Sequence, residues 1–182
     1  MRACSDRDRS WQISQVAVKP GDALDATHSG VRNGDFLSRR DAGGIGKGIA
    51  KKFVEEGACV IINDNDADRL AKADEEFKTK YGKDAFTSVL LDVLKSENIK
   101  EAFEKSALAF GGVDIVVNCA GISISKPLEE HTEKDWDLLY DILVKGQFLV
   151  TQGGVEIIRK QSLGGDVLNI VSKNALVSGP NN

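Results

Sequence analysis

Ala42-Gly-Gly-Ile-Gly-Lys-Gly48 and Asp114-Ile-Val-Val-Asn-Cys-Ala-Gly121 are the segments of this chain whose residue types and spacing suit chemistry. The first is a glycine turn opening a helix. A pyrophosphate needs backbone N–H groups within reach and no Cβ in the way, and Gly44 and Gly46 meet that need at a helix N-terminus, where aligned peptide dipoles favour negative charge. Gly43 and Gly48 then serve tight turning and close helix–strand packing. The second segment is an apolar strand ending in an asparagine and small residues. Together they suggest an α/β sheet whose carboxyl edge holds a nucleotide.

A carboxylate strengthens that reading. Asp64 ends the strand Cys59-Val-Ile-Ile-Asn63, 18 residues after Gly46. That is near the distance at which an acid accepts hydrogen bonds from the adenosine ribose hydroxyls, and its charge repels a 2′-phosphate, so NAD is favoured over NADP. Asp66 is the better cap for the next helix, which leaves Asp64 for the ribose. The plainer alternatives are a glycine-rich loop without a ligand and a solvated helix cap.

The elements that position these residues alternate from residue 42 onward. Helices are predicted at Ile45 to Glu56, closed by Gly57, and at Asp66 to Lys80, with Leu70, Ala73 and Phe77 on its apolar face. Further helices run from Ser96 to Phe110, capped by Ser96, and from Thr132 to Arg159, capped by Thr132. In that last helix Gly153 and Gly154 are a point where it could fray or end. Strands are predicted at Ala58 to Asn63, Phe86 to Leu91, Val113 to Val117 and Asp166 to Val171. Short apolar strands separated by helices imply a doubly wound parallel sheet.

The first 41 residues differ: Arg2, Arg7, Arg9, Arg32, Arg39 and Arg40 lie among scattered Gly and Ser. Gln12 to Lys19 could form a strand, but it is too far from the glycine turn to feed it directly. Between Asn33 and Asp41, only Phe36 and Leu37 are apolar, whereas a central strand should be almost continuously so. Residues 1–41 are therefore expected to be a non-native or disordered segment, from a wrong start or an out-of-frame reading. Residues 42–182 are expected to be a partial NAD-binding domain, with a gap where the first strand belongs.

Composition excludes several classes. A net charge of −4 gives no basic excess to displace counterions from nucleic acid. No apolar run approaches membrane-spanning length and the N-terminus has no apolar signal core, so a cytoplasmic location is expected. Cys4, Cys59 and Cys119 are widely spaced, which suits reduced thiols. His28 and His131 are isolated, so no metal site is expected.

In order and spacing, Gly44-Ile-Gly46, Asp64, Leu91-Asp-Val93, Asn118-Cys-Ala-Gly121, the helix Trp136 to Val150 with Lys145-Gly146, and Asn169-Ile-Val-Ser172 resemble the short-chain dehydrogenase/reductase family. The segment Val171 to Asn182 is further similar to the dehydrogenase half of bifunctional rhamnulose-phosphate aldolase/alcohol dehydrogenases. The resemblance implies a Rossmann-like fold and an NAD-dependent oxidoreductase of a small alcohol, aldehyde or sugar alcohol. It implies that Gly44, Ile45 and Gly46 bind the cofactor with Asp64. Asp92 and Val93 would contact the adenine, and Asn118, Ala120 and Gly121 would pass beneath the nicotinamide ribose. Ser172 would hold the substrate carbonyl oxygen as the catalytic residue left in this chain. The family is usually homo-oligomeric, through the long helix and the one that follows.

The chain departs from the family in three ways. The family's tyrosine follows the serine by about 13 positions, with a lysine four further on. From Ser172 both fall beyond Asn182, and neither Tyr81 nor Tyr140 precedes a lysine by that interval. Arg39 and Arg40 stand where the family turn begins Thr-Gly. Leu143 stands where the family places an asparagine of a proton relay, and is read as a core residue of an apolar helix. A truncated, inactive dehydrogenase with an incomplete sheet is therefore the leading expectation. The others are a non-catalytic nucleotide-binding module and a remnant without function.

Overall fold

The computed structural model describes residues 15–19, 44–124, 126–162, 164–172 and 176–177. Arg39, Arg40, Gly43, Cys4 and His28, to which expectations were attached, lie outside them. The elements in order are β1 (Gln15–Lys19), α1 (Gly44–Glu55), β2 (Cys59–Asp64), α2 (Ala67–Tyr81), β3 (Phe86–Leu90), α3 (Ser96–Phe110) and β4 (Ile115–Asn118). There follow a 3-10 turn (Leu128–Glu130), α4 (Glu133–Tyr140), a π-helical turn (Asp141–Gly146), α5 (Gln147–Gln161) and β5 (Asp166–Asn169).

The strand order is β3-β2-β1-β4-β5. β2 and β3 run parallel, as do β4 and β5. β1 lies between β2 and β4, antiparallel to both. The expected central gap is thus filled, by a strand drawn from the N-terminal segment and running the other way. β2 and β4 are buried, and without a partner their inner N–H and C=O groups would face an empty slot at high cost. Gln-Val-Ala-Val-Lys suits that slot better than the polar residues before the glycine turn. Residues 20–43 separate β1 from α1, a connection long enough to allow the reversed direction.

Helices cover both faces. Strand alternation sends Val60 and Ile62 toward α1 and α2, where they pack with Ile49, Ala50, Val54, Leu70 and Phe77. Ile61 and Val116 face the other layer, with Ile99, Phe103, Val150 and Ile158 from α3 and α5. Gly57, at φ +87°, turns α1 tightly into β2: its N–H donates to the Val54 carbonyl and that of Ala58 to Phe53. α1 therefore starts at the edge where β2 ends, and the glycine turn and Asp64 share the carboxyl edge of the sheet.

Local expectations met mixed outcomes. Leu70, Ala73 and Phe77 are buried, and Asp66 caps α2 by accepting from the Arg69 N–H at 3.0 Å. Ser96 does not cap α3: Lys95 holds the cap position without a side-chain bond, and the Ser96 hydroxyl donates to Glu97. The long helix neither frays nor ends at Gly153-Gly154 but continues to Gln161. A Cβ on Gly153 would stand 2.9 Å from Ile99 Cγ2 and 3.0 Å from the Phe103 ring, and one on Gly154 3.0 Å from Val116 Cγ2. These glycines let α5 press against α3 and β4. Gly48 behaves oppositely: its missing Cβ meets nothing within 4 Å among the described residues, so close packing is not its role. Trp136, Tyr140, Val144 and Phe148 leave an exposed apolar stripe along the long helix.

Candidate functional site at the carboxyl edge

β2 and β4 both oppose β1, so they run parallel, and the ends of β2, β3, β4 and β5 lie on one edge. That edge gathers Asp64, Asp92 with Val93, Asn118 to Gly121, and the segment after Asn169. Gly44 opens α1 with φ +59°, a backbone that favours glycine. Gly46 is buried, and Ile45 is nearly half exposed.

Asp64 is 2% exposed and faces the α1–α2 layer. Its Oδ1 accepts from the Asp66 N–H at 2.9 Å and from Arg69 Nη2 at 2.9 Å. Its Oδ2 is buried without a hydrogen-bond partner among the described residues. Asp64 is therefore not a free carboxylate but one half of a buried ion pair with one acceptor unfilled. Arg69, one third exposed, was missed by the sequence reading. The available signal was its place in the first turn of α2, three residues after the cap. Asp66 is held below the ordinary carboxylate value, first by the Arg69 backbone N–H and also by the charges of Arg69 and Lys72.

Beyond β3, Asp92 Oδ1 accepts from the Leu94 N–H at 3.0 Å and its Oδ2 lies 3.3 Å from Lys95 Nζ. Val93 is buried against the π-helical turn, and a Cβ on Gly146 would stand 2.9 Å from Val93 Cγ2. At the end of β4, the fully buried Asn118 amide nitrogen donates to the Asn169 side-chain oxygen at 2.9 Å and to Gln147 O and Thr151 Oγ1 at 3.3 Å. It ties β4 to β5 and α5. Asn118 Oδ1 is buried without a partner among the described residues. Ala120 is buried, and a Cβ on Gly121 would meet Leu143 Cδ2 at 3.4 Å.

Leu143 is 37% exposed, not a core residue. It lies in the π-helical turn, where i→i+5 bonding turns the side-chain register away from the α-helical stripe. Ser172 lies past β5, which ends at Asn169 and not at Val171, and it is exposed. Lys126 pairs with Asp135 of the α4 capping box, so its charge is committed to the fold. Cys119 is a packed thiol, its pKa pushed up to about 12 by burial. Cys59 is likewise free, and no cluster of metal-ligating side chains occurs among the described residues. No helix among them is long and apolar enough to cross a membrane.

Comparison with known proteins agrees with this geometry. An uncharacterized oxidoreductase of Bacillus subtilis, YuxG, is 39% identical over 140 residues, which is 77% of this chain and 20% of that protein. An NADP-dependent (R)-specific alcohol dehydrogenase of Lentilactobacillus kefiri is 36% identical over 75% of this chain and 53% of its own length. The crystal structure of a short chain dehydrogenase from Bacillus anthracis superposes with a TM-score of 0.69 at 28% identity, covering 76% of this chain and 55% of that one. The chain thus spans about half the length, or less, of these relatives. The sequence profile described as short chain dehydrogenase matches residues 41–182. With its Rossmann-like α/β fold, the chain belongs to the short-chain dehydrogenase family of oxidoreductases.

Proposed function

We propose that residues 42–182 form the dinucleotide-binding part of an NAD-dependent oxidoreductase acting on a small alcohol, aldehyde or sugar alcohol in the cytoplasm. The observation that carries this is Asp64 Oδ2, a buried carboxylate oxygen at the tip of β2 lacking a donor among the described residues. Burying such an acceptor without a donor is costly, and a ribose hydroxyl is a donor of the right kind. The residues present fit the cofactor. The first N–H groups of α1, at Gly44, Ile45 and Gly46, would hold the pyrophosphate, and Asp64 the adenosine ribose. Asp92 and Val93 would flank the adenine, and Asn118, Ala120 and Gly121 the nicotinamide ribose. When bound, the nicotinamide supplies the hydride chemistry.

The chain's own part is to bind and orient. The Ser172 hydroxyl would donate to the substrate carbonyl oxygen and hold it as charge develops there. Residues 1–182 contain no tyrosine followed four positions later by lysine, and the part proposed for them is to bind and orient the cofactor. Leu143 at the relay position, whose side chain offers no hydrogen bond, favours the second reading, a non-catalytic nucleotide-binding module. The wording of residues 171–182 favours a bifunctional aldolase/alcohol dehydrogenase as the parent protein; the Bacillus subtilis relative, of which the chain spans 20%, is an oxidoreductase of greater length. The exposed stripe from Trp136 to Phe148 supports self-association.

Equilibrium dialysis of the 182-residue chain with NAD and with ADP-ribose tests the reading. Micromolar binding is expected, weakened about 10- to 100-fold in Asp64→Ala, the worth of a hydrogen bond to a charged group. No binding at millimolar ligand overturns it.

A further inference from the structure

Among the described residues between Ala120 and Ile142 not one is buried, although the stretch contains the 3-10 turn and the whole of α4. Even Leu128, in the 3-10 turn, is 85% exposed. Apolar burial, the usual anchor of such a stretch, is therefore not what holds it. Both of its ends lie at the carboxyl edge. Gly121 follows β4, and a Cβ there would meet Leu143 Cδ2 of the π-helical turn at 3.4 Å. The stretch is thus an excursion that leaves the edge and comes back beside its own start.

Inside it a polar clasp ties the outgoing loop to the returning helix. Lys126 Nζ donates to Asp135 Oδ2, which also accepts from the Thr132 N–H at 2.8 Å and from the Thr132 hydroxyl at 2.7 Å. The Lys126 and Asp135 side chains are 24% and 21% exposed. The pairs Lys145–Asp141 and Lys160–Glu156 differ: each spans a single helical turn and is far more exposed, so neither fixes anything beyond its own helix. Lys126, and after it Thr132, holds the Asp135 carboxyl well below the ordinary carboxylate range, so the clasp is charged at neutral pH.

We propose that Lys126 is a positioning residue: through Asp135 it holds Gly121 to Lys126 in place as the wall of the carboxyl edge beyond β4. The proposal rests on the dinucleotide reading above, which puts the nicotinamide ribose at Asn118, Ala120 and Gly121, directly before this wall. Lys126 touches neither cofactor nor substrate and moves no proton. It acts by limiting where the loop can go. The nicotinamide end then meets a surface already in place, and less ordering entropy is lost on binding. The adenosine end, assigned to β2 and α2, shares none of these residues.

The test compares dissociation constants for NAD and for ADP-ribose, which lacks the nicotinamide, by calorimetry on the 182-residue chain. Lys126→Met should weaken NAD about fivefold more than ADP-ribose, the worth of a partly exposed ion pair. Loss of a cation acting through space would do the reverse, because ADP-ribose is the more negative ligand. Lys126→Arg, which keeps the charge, should stay within about twofold of the unaltered ratio. Asp135→Asn opens the clasp from its other side and should shift the ratio in the same direction as Lys126→Met. Cleavage after Glu129 and Glu130 by a glutamate-specific protease, without ligand, should run about threefold faster or more in Lys126→Met, since local opening is then easier. A ratio unchanged in Lys126→Met, a ratio lost equally in Lys126→Arg, or cleavage no faster without the clasp overturns the proposal. Failure of both ligands to bind the unaltered chain overturns the dinucleotide reading instead, and this inference with it.

Discussion

The carboxyl edge of this sheet has two halves built on different physics. On the half proposed to hold the adenosine, β2 and α2 meet around charge: Asp64, Asp66 and Arg69 hold one another through ion pairs and backbone N–H groups. On the other half, proposed as the reaction half, β4, the π-helical turn, α5 and β5 meet around neutral amides and close backbone approach. Asn118 reaches Gln147, Thr151 and Asn169, and Gly146, Gly153 and Gly154 admit Val93, Ile99, Phe103 and Val116 into van der Waals contact. The lesson is that the same residue type does opposite work on the two sides. Glycines of α5 are there for what lies against them, whereas Gly48 in α1 faces open space.

The largest expected effect breaks the reaction half. Gly153→Leu places a side chain where a Cβ alone would stand 2.9 Å from Ile99 and 3.0 Å from Phe103. Both neighbours are buried and on a packed helix, so neither can move aside cheaply. Overpacking of this kind costs about 1–3 kcal/mol, and more where the backbone must shift, against a whole-domain stability of about 5–15 kcal/mol. Urea denaturation should show the loss. An unchanged midpoint would mean that α5 does not approach α3 as described.

A second effect, graded with pH, probes the packing around β4. Burial raises the Cys119 thiol to about 12 from its ordinary value of 9.0. The folded chain thus keeps a proton that the unfolded chain releases first. The stability this contributes is fully present below pH 9.0, falls as pH rises, and is gone above about 12. The slope approaches about 1.4 kcal/mol per pH unit in that window. Denaturation midpoints measured between pH 8 and 11 should fall less steeply in Cys119→Ala. Parallel slopes in the two proteins would show that the thiol is not buried as placed.

How far these features were legible in the sequence follows from what kind of signal each one leaves. Local signals survived: Gly57 closing α1, Asp66 capping α2, and Leu70, Ala73 and Phe77 at helical spacing all act within a turn or two of themselves. The shared edge for the glycine turn, Asp64 and Asn118 was legible too, because alternation of strands and helices forces it. The direction of β1 was not, since period-two alternation has no sense of direction and the slot it fills is made by residues far away in sequence. Helix propensity charged Gly153 and Gly154 their local penalty and could not see Ile99, Phe103 or Val116 across the interface. Leu143 was placed in the core as a residue of an apolar helix, but that helix passes through a π-helical turn at this point and leaves it exposed. Arg69 was passed over because its partner lies on another element.

The smallest effect has the opposite sign and tests the other half of the comparison. Gly48 is exposed in α1, takes no positive φ, and its absent Cβ would meet nothing within 4 Å among the described residues. A helical glycine with that much room stabilises nothing by being glycine. It leaves the unfolded chain more freedom to lose and forgoes helix propensity. Gly48→Ala should therefore raise stability by about 0.5–1 kcal/mol. It should leave ADP-ribose affinity unchanged, because the N–H groups proposed to hold the pyrophosphate are those of Gly44 to Gly46. Measured side by side with Gly153→Leu, it asks whether the two glycines differ in kind or only in degree. A destabilised Gly48→Ala would mean that α1 is closely packed at this point, and the distinction between a side held by charge and a side held by contact would collapse.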